Sequence, residues 1–87
     1  MSIYENQLEE FAANKAIRQF ILRETGDSKF SLIVVLTWKD GENLLINARR
    51  QARVWPKLNT LASYIKGLQC LNTPISLELN YESTEPT

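Results

Sequence analysis

The stretch from Phe30 to Trp38 constrains the fold of this chain more than any other segment. It is rich in β-branched and aromatic residues, a composition typical of a β-strand. Turn clusters flank it, with Gly26-Asp27-Ser28 before it and Lys39-Asp40-Gly41-Glu42 after it. Asp-Gly between two apolar runs is the strongest short hairpin signal. The pattern therefore predicts a strand over Phe30–Trp38 and a return strand from Leu44 to about Arg50.

The segment 16–25 is open to two interpretations, a strand or a continuation of the preceding helix. Two-residue turns at Asp27-Ser28 and Asp40-Gly41 set two hairpin registers that agree, because both put the same residues on one face of the sheet. This agreement favours the strand. The residues on the shared face are Phe20, Leu22, Ile33, Val35, Leu44, Ile46 and Ala48.

Two other segments have the apolar spacing of helices. The first runs from Ile3 to about Ala13 with Ser2 as its N-cap, and the second opens at Trp55-Pro56, since proline is favoured at the first helical position. A last strand follows, in which apolar and polar residues alternate. Its apolar residues are Ile75, Leu77, Leu79 and Tyr81.

These elements predict an α+β fold in the order α-β-β-β-α-β. The simplest architecture is a single two-layer domain over residues 1–81, in which both helices pack on one face of an antiparallel sheet. A chain of 87 residues has room for one core. Residues 82–87 are expected to form a short polar C-terminal tail.

The composition argues against several classes of function. The chain has no histidine and a single cysteine, Cys70, which removes the usual general base and the usual zinc ligands. Its longest uninterrupted apolar run, Leu32–Leu36, is far shorter than the roughly 20 residues of a membrane span. We expect a cytoplasmic protein that is not an enzyme, with no cofactor, metal or small-molecule substrate.

The opposite face of the predicted sheet carries an apolar stripe flanked by Asn, Gln and Arg. Exposed apolar patches with polar rims tend to mark interaction sites. We therefore expect this face to bind a protein partner or a second copy, with a homodimer favoured. The alternative is that the N-terminal helix or the loop Gln51–Trp55 covers it. The predicted partner-binding residues are Leu32, Val34, Leu36, Trp38 and Leu45.

A basic segment follows the third strand, inside a stretch from Asn43 to Leu77 that contains no acidic residue. Guanidinium groups beside a helix start favour phosphates, so DNA or an acidic partner is a candidate ligand. Against this, the pI of about 6.2 is low for a dedicated nucleic-acid binder, and an exposed loop without a partner is the alternative. The residues of this segment are Arg49, Arg50, Arg53, Trp55 and Lys57.

Three segments follow one another in the middle of the chain: the hairpin Trp38–Arg50, the step Arg53-Val54-Trp55 and the leucine-rich stretch Leu58-Asn59-Thr60-Leu61. Through them the region from Asp40 to Gly67 resembles a family of small plasmid-encoded, partition-associated accessory proteins of the ParC type. The resemblance implies a role in plasmid or mobile-element maintenance through protein contact. The alternatives are a small DNA-binding or regulatory module and an inhibitor of a host defence or a competing element.

Overall fold

The fold was determined as a computed structural model, which describes residues 1–70 and 72–80. Its elements in chain order are β1 (Ser2–Tyr4), α1 (Glu5–Ala13), β2 (Ile17–Glu24), β3 (Phe30–Leu36), β4 (Asn43–Ile46), β5 (Val54–Trp55), α2 (Leu58–Gly67) and β6 (Ile75–Glu78). The predicted α+β class is confirmed. The last residue of the predicted domain, Tyr81, and the predicted tail, 82–87, lie outside the described residues.

The strands form one mixed sheet in the order β1-β4-β3-β2-β6, and β5 pairs with the start of β3. The antiparallel prediction holds for the central strands, since β3 pairs antiparallel with both β2 and β4. At the two ends of the order it is wrong, because β1 lies parallel to β4 and β6 lies parallel to β2. Each of these parallel pairs is joined through a long crossover, a connection that parallel strands require.

The segment 16–25 contains strand β2, which confirms the preferred interpretation. Its pairing with β3 differs by one residue from the prediction, because Phe20 lies opposite Val34 and Leu22 opposite Leu32. The connection is wider than a two-residue turn: Thr25 donates its backbone N–H to the carbonyl of Lys29 at 2.7 Å. A slip of one residue exchanges the faces of a strand, so β3 presents to the helices the side that was predicted to face away.

The second connection also lacks the predicted tight turn. A type I′ turn needs positive φ at both central residues, and here Gly41 has a φ of 108° whereas Asp40 is not in that region. The chain instead spans residues 37–42, and Ile33 lies opposite Leu44. Strand β4 ends at Ile46, because the side-chain Oδ1 of Asn47 accepts hydrogen bonds from the backbone of Arg49 and Gln51 and turns the chain.

Both helices pack on one face of the sheet, where they enclose a single apolar core. Leu8 of α1 and Leu61 of α2 are completely buried there. The central strands supply the other side of the core, and Trp55 of β5 joins them. The core residues are Ile3, Leu8, Ile17, Phe20, Leu22, Leu32, Val34, Leu36, Leu45, Trp55, Leu61 and Ile65.

The predicted exposure of the partner-binding residues is therefore wrong for four of the five. Leu32, Val34 and Leu45 are fully buried and Leu36 is 3% exposed, because the one-residue slip turns them toward the helices. The alternative that the N-terminal helix covers this face is correct. Only Trp38 remains exposed, at 62%, and its ring meets Phe11 of α1 edge-on with the centroids 5.9 Å apart.

Adjacent valines on β3 offer a test of this assignment of the two faces. Val34 is fully buried under the helices, whereas Val35 is half-buried on the other face. Valine and threonine have nearly the same shape, so Val34→Thr buries a hydroxyl and should lower the free energy of unfolding by about 1–3 kcal/mol. We expect Val35→Thr to cost less than about 0.5 kcal/mol. Urea denaturation measures both, and a larger cost for Val35→Thr would contradict the observed register.

Candidate functional site

Strand β6 lies at one end of the sheet order, and together with the residue that follows it, Leu79, it exposes an apolar row. Ile75 is 53% exposed, Leu77 47% and Leu79 42%. Phe20 of β2 is completely buried, whereas Ile75, which lies opposite it on β6, is half exposed, so the cover that the helices give to β2 does not extend over β6. The described part of the chain exposes six large apolar side chains, and three of them are these alternate residues. We call this row, together with the outer backbone side of the strand, the β6 edge.

The backbone of β6 has one side paired with β2 and one side without a strand partner among residues 1–70 and 72–80. The carbonyl of Pro74 accepts the N–H of Phe20 at 3.0 Å. Backbone groups alternate in direction along a strand, so Ser76 and Glu78 direct theirs toward β2 as well. The N–H and C=O groups of Ile75 and Leu77 therefore point away from the sheet, and they form a template for another strand.

A charged cluster covers the other face of β6. Arg23 Nε donates to Glu78 Oε1 at 2.6 Å, and both terminal nitrogens of Arg23 reach the two carboxylate oxygens of Glu42 at 3.1 Å. The hydrogen bond to Glu78, and to a smaller extent the one to Glu42, raises the pKa of Arg23 above its ordinary value. Arg23 therefore stays charged and offsets the negative charge of Glu78, the one charged residue of β6.

The sheet face opposite the helices carries an apolar band, but it offers little exposed area. Ile21, Ile33 and Ile46 lie on this face and are 7%, 4% and 7% exposed. No described helix packs there, since α1 and α2 both belong to the core on the other side. The β6 edge is therefore the more accessible apolar surface.

The predicted basic site is divided by the fold. Arg53 stacks on two aromatic rings: its guanidinium lies 4.7 Å from the ring centroid of Trp55 and 5.7 Å from that of Tyr64, and its side chain stays 38% exposed. It also pairs with Glu5 of α1. Trp55 is itself only 6% exposed, so these two residues tie β5 to the helices.

The remaining members of the basic segment are on the surface. Arg49 and Arg50 are exposed in the turn after β4, and Lys57 is exposed at the start of α2. The structure thus leaves three of the five predicted residues accessible, without the tryptophan that was expected to accompany them. Binding of DNA or an acidic partner through this segment stays a prediction.

A cleft lies between the C-terminal ends of the two helices, and Lys15, Ile17 and Cys70 contribute to its lining. Burial raises the pKa of the Cys70 thiol above its ordinary value. Because the thiolate is the nucleophile, a raised pKa lowers the reactive fraction at neutral pH.

Alkylation of Cys70 should therefore be slow in the folded protein and should accelerate in urea. We also expect the rate in the folded protein to keep rising with pH beyond about pH 8.5, the pKa of a free thiol. Stopped-flow measurements with iodoacetamide, with the free amino acid as the control, test this. A folded-state rate equal to that of free cysteine at neutral pH would contradict it.

Within residues 1–70 and 72–80, no group of three or more His, Cys, Asp or Glu side chains is placed to hold a metal ion. None of the helices in the same ranges has the length and apolar character needed to cross a membrane. Comparisons with protein-family models, curated proteins and solved structures find no match for this chain.

Sequence reasoning missed the β6 edge as a site, although it predicted the strand. Alternation of Ile75, Leu77 and Leu79 with polar residues indicates a strand with one buried face. Which strand lies at the end of a sheet depends on long-range pairing, and a parallel pairing of β6 with β2 leaves no local signal. The local sequence does not mark β6 as an edge strand either, because a proline before the strand and a lack of lysine within it also occur in central strands.

Proposed function

We propose that this chain is a non-enzymatic binding protein that acts by protein–protein contact along the β6 edge. The observation that carries the proposal is the coincidence, on one strand, of an exposed apolar row and an outward row of backbone groups. Addition of a strand to such an edge is a recurring mode of protein recognition: the backbone supplies affinity, and pockets for alternate side chains supply specificity.

Burial of three apolar side chains would stabilise such a contact. Ile75, Leu77 and Leu79 are each about half exposed, and full burial of such a side chain contributes roughly 1.5–3 kcal/mol. A partner strand would cover the remaining exposed half of each and would also pair the outward backbone groups. An edge of this kind on an isolated domain favours association, so contact with a partner is its simplest use.

The biological setting that we propose is the maintenance of a plasmid or mobile element in the cytoplasm. This part rests on the resemblance of residues 40–67 to ParC-type accessory proteins. An inhibitor that blocks a surface of a host defence or a competing element would use the same edge. The partner's identity separates the two, and the crosslinking experiment below reports it.

A photo-crosslinking side chain at position 77 tests the proposal in the cells that produce this chain. We expect covalent protein adducts from position 77. Val54 is the matched control, because it is also an exposed apolar strand residue, at 37%, and it belongs to β5, which pairs with β3. No adduct at position 77, or equal adducts at both positions, would contradict a role for the β6 edge.

A further inference from the structure

We infer that the partner at the β6 edge is a second copy of this chain, paired antiparallel across a two-fold axis at Leu77. The two sheets then join into one continuous sheet. This inference rests on the proposed function and adds the identity of the partner. It follows from the order of side chains along β6, from the direction of its backbone groups and from the distribution of charge around it.

Backbone direction limits the possible registers. Because Ile75 and Leu77 point their N–H and C=O groups outward, they must lie opposite residues of the second copy that do the same. Odd-numbered residues therefore face odd-numbered residues. In the register centred on Leu77, Leu77 faces its own equivalent and Ile75 faces Leu79. Every exposed apolar side chain of one copy then meets an apolar side chain of the other.

The neighbouring registers are less favourable. A slip of two residues, the smallest that keeps odd-numbered residues opposite each other, places Glu78 opposite Glu78 in one direction, and like charges directly opposite each other destabilise a strand pair. A slip the other way places Leu79 opposite Thr73 and leaves it without an apolar partner. Only the register centred on Leu77 both pairs the whole apolar row and keeps Glu78 opposite an uncharged residue, Ser76.

Charge also favours a second copy over a strongly charged partner strand. Between Ile75 and Leu79 the only charged residue is Glu78, and Arg23 bonds its carboxylate at 2.6 Å. Natural edge strands are commonly guarded by charged side chains, especially lysine, or by proline. The five residues from Ile75 to Leu79 contain no lysine or proline, and Arg23 pairs with their single charged side chain, Glu78. An edge that is neutral and apolar is complementary to another edge of the same kind.

The expected dimer is weak because the strand is short. β6 has four residues, and pairing of two such strands buries less than the roughly 1,200 Å² at which stable interfaces begin. We therefore expect a dissociation constant in the micromolar range and a rapid exchange between monomer and dimer. Sedimentation over a concentration series that spans this range is the appropriate measurement.

Leu77→Pro provides the decisive variant. Proline has no backbone N–H, and the N–H of Leu77 points outward. The substitution, present in both copies, therefore removes two hydrogen bonds of the proposed dimer and none between β6 and β2. Proline is tolerated on an edge strand when its nitrogen faces solvent. We expect a folded protein by circular dichroism whose dimer dissociation constant rises at least tenfold, which corresponds to about 1.4 kcal/mol.

Leu77→Lys is a second test variant in case the proline variant fails to fold. It places two positive charges opposite each other on the axis and should therefore weaken the dimer. Val54→Lys is its matched control and should dimerise like the unmodified protein. Unmodified protein that sediments as a monomer at high micromolar concentration would overturn the inference, as would dimerisation of Leu77→Lys equal to that of Val54→Lys.

The two proposals fail in distinguishable ways. A monomeric protein whose position-77 adducts contain other proteins would overturn the second-copy inference and leave the proposed function standing. Adducts with twice the mass of the chain support both. A dimer that the Leu77 variants abolish, without any adduct from position 77 in cells, would keep the dimer and overturn its proposed use.

Discussion

Phe20→Ala should remove a large part of the stability of this domain. The Phe20 side chain is completely buried in the middle of β2, and truncation of a buried phenylalanine typically costs about 3–5 kcal/mol. A protein of this size has a free energy of unfolding of roughly 4–13 kcal/mol, at about 0.05–0.15 kcal/mol per residue. We therefore expect a fall in the melting temperature of more than about 12 °C, since each kcal/mol shifts it by roughly 4–8 °C.

Thermal unfolding followed by circular dichroism measures this effect. Phe30→Ala is the matched control, because Phe30 is only partly buried at the margin of the same core. The control should lose clearly less stability than Phe20→Ala. Equal losses would mean that the helices do not close over β2 as the structure shows.

Leu8→Ala should detach α1 from the sheet. Leu8 is the buried residue of this nine-residue helix, and truncation of a buried leucine costs about 2–5 kcal/mol. A helix shorter than about 12 residues is marginal in water without tertiary contacts. Loss of the Leu8 contact therefore lowers the stability of the whole domain and also weakens the Arg53–Glu5 pair that joins α1 to β5.

Urea denaturation, with tryptophan fluorescence as a second readout, tests this prediction. Trp38 packs edge-on against Phe11 of α1, so its emission should change if α1 moves away, and Trp55, shielded at 6% exposure, should shift to longer wavelength if the core opens. Leu58→Ala is the control, since Leu58 packs at the edge of the core and is only partly buried. A Leu8→Ala protein as stable as Leu58→Ala would show that α1 is not anchored through Leu8.

Local patterns were sufficient to predict much of the secondary structure. The apolar spacing of α1, the proline before α2 and the alternation in β6 each act over a few residues, where side-chain periodicity reflects burial directly. The same reasoning identified segment 16–25 as a strand and gave the α+β class. Strands β1 and β5 were not predicted, because they have three and two residues and are too short to show a period.

The faces of the sheet could not be derived in the same way. Register depends on the length of each connection, and both connections are wider than the Asp-Ser and Asp-Gly pairs suggested. The change at the first connection is one residue, which exchanges faces, and it moved Leu32, Val34 and Leu36 from an expected surface into the core. At the second connection the register differs from the prediction by an even number of residues. The residues of β3 and β4 that were predicted to share a face therefore still share one.

The candidate site was inaccessible to sequence reasoning for a related reason. Arg53 and Trp55 belong to a segment that is basic along the chain, yet their contacts are with residues outside it. Arg53 pairs with Glu5, and both Arg53 and Trp55 contact the ring of Tyr64. Ile75, Leu77 and Leu79 have the pattern of a half-buried strand. Only the three-dimensional order of strands shows that the helices end before they cover it.

Amide hydrogen exchange at β6, measured at several protein concentrations, tests the central claim most directly. The N–H of Leu77 points outward, so it should exchange rapidly in dilute solution and become protected as the concentration rises through the dimerisation range. The N–H of Ser76 bonds inward to β2 and should remain protected at every concentration. If the average mass rises with concentration while exchange at Leu77 stays rapid, association occurs elsewhere on the molecule and the β6 edge is not the contact.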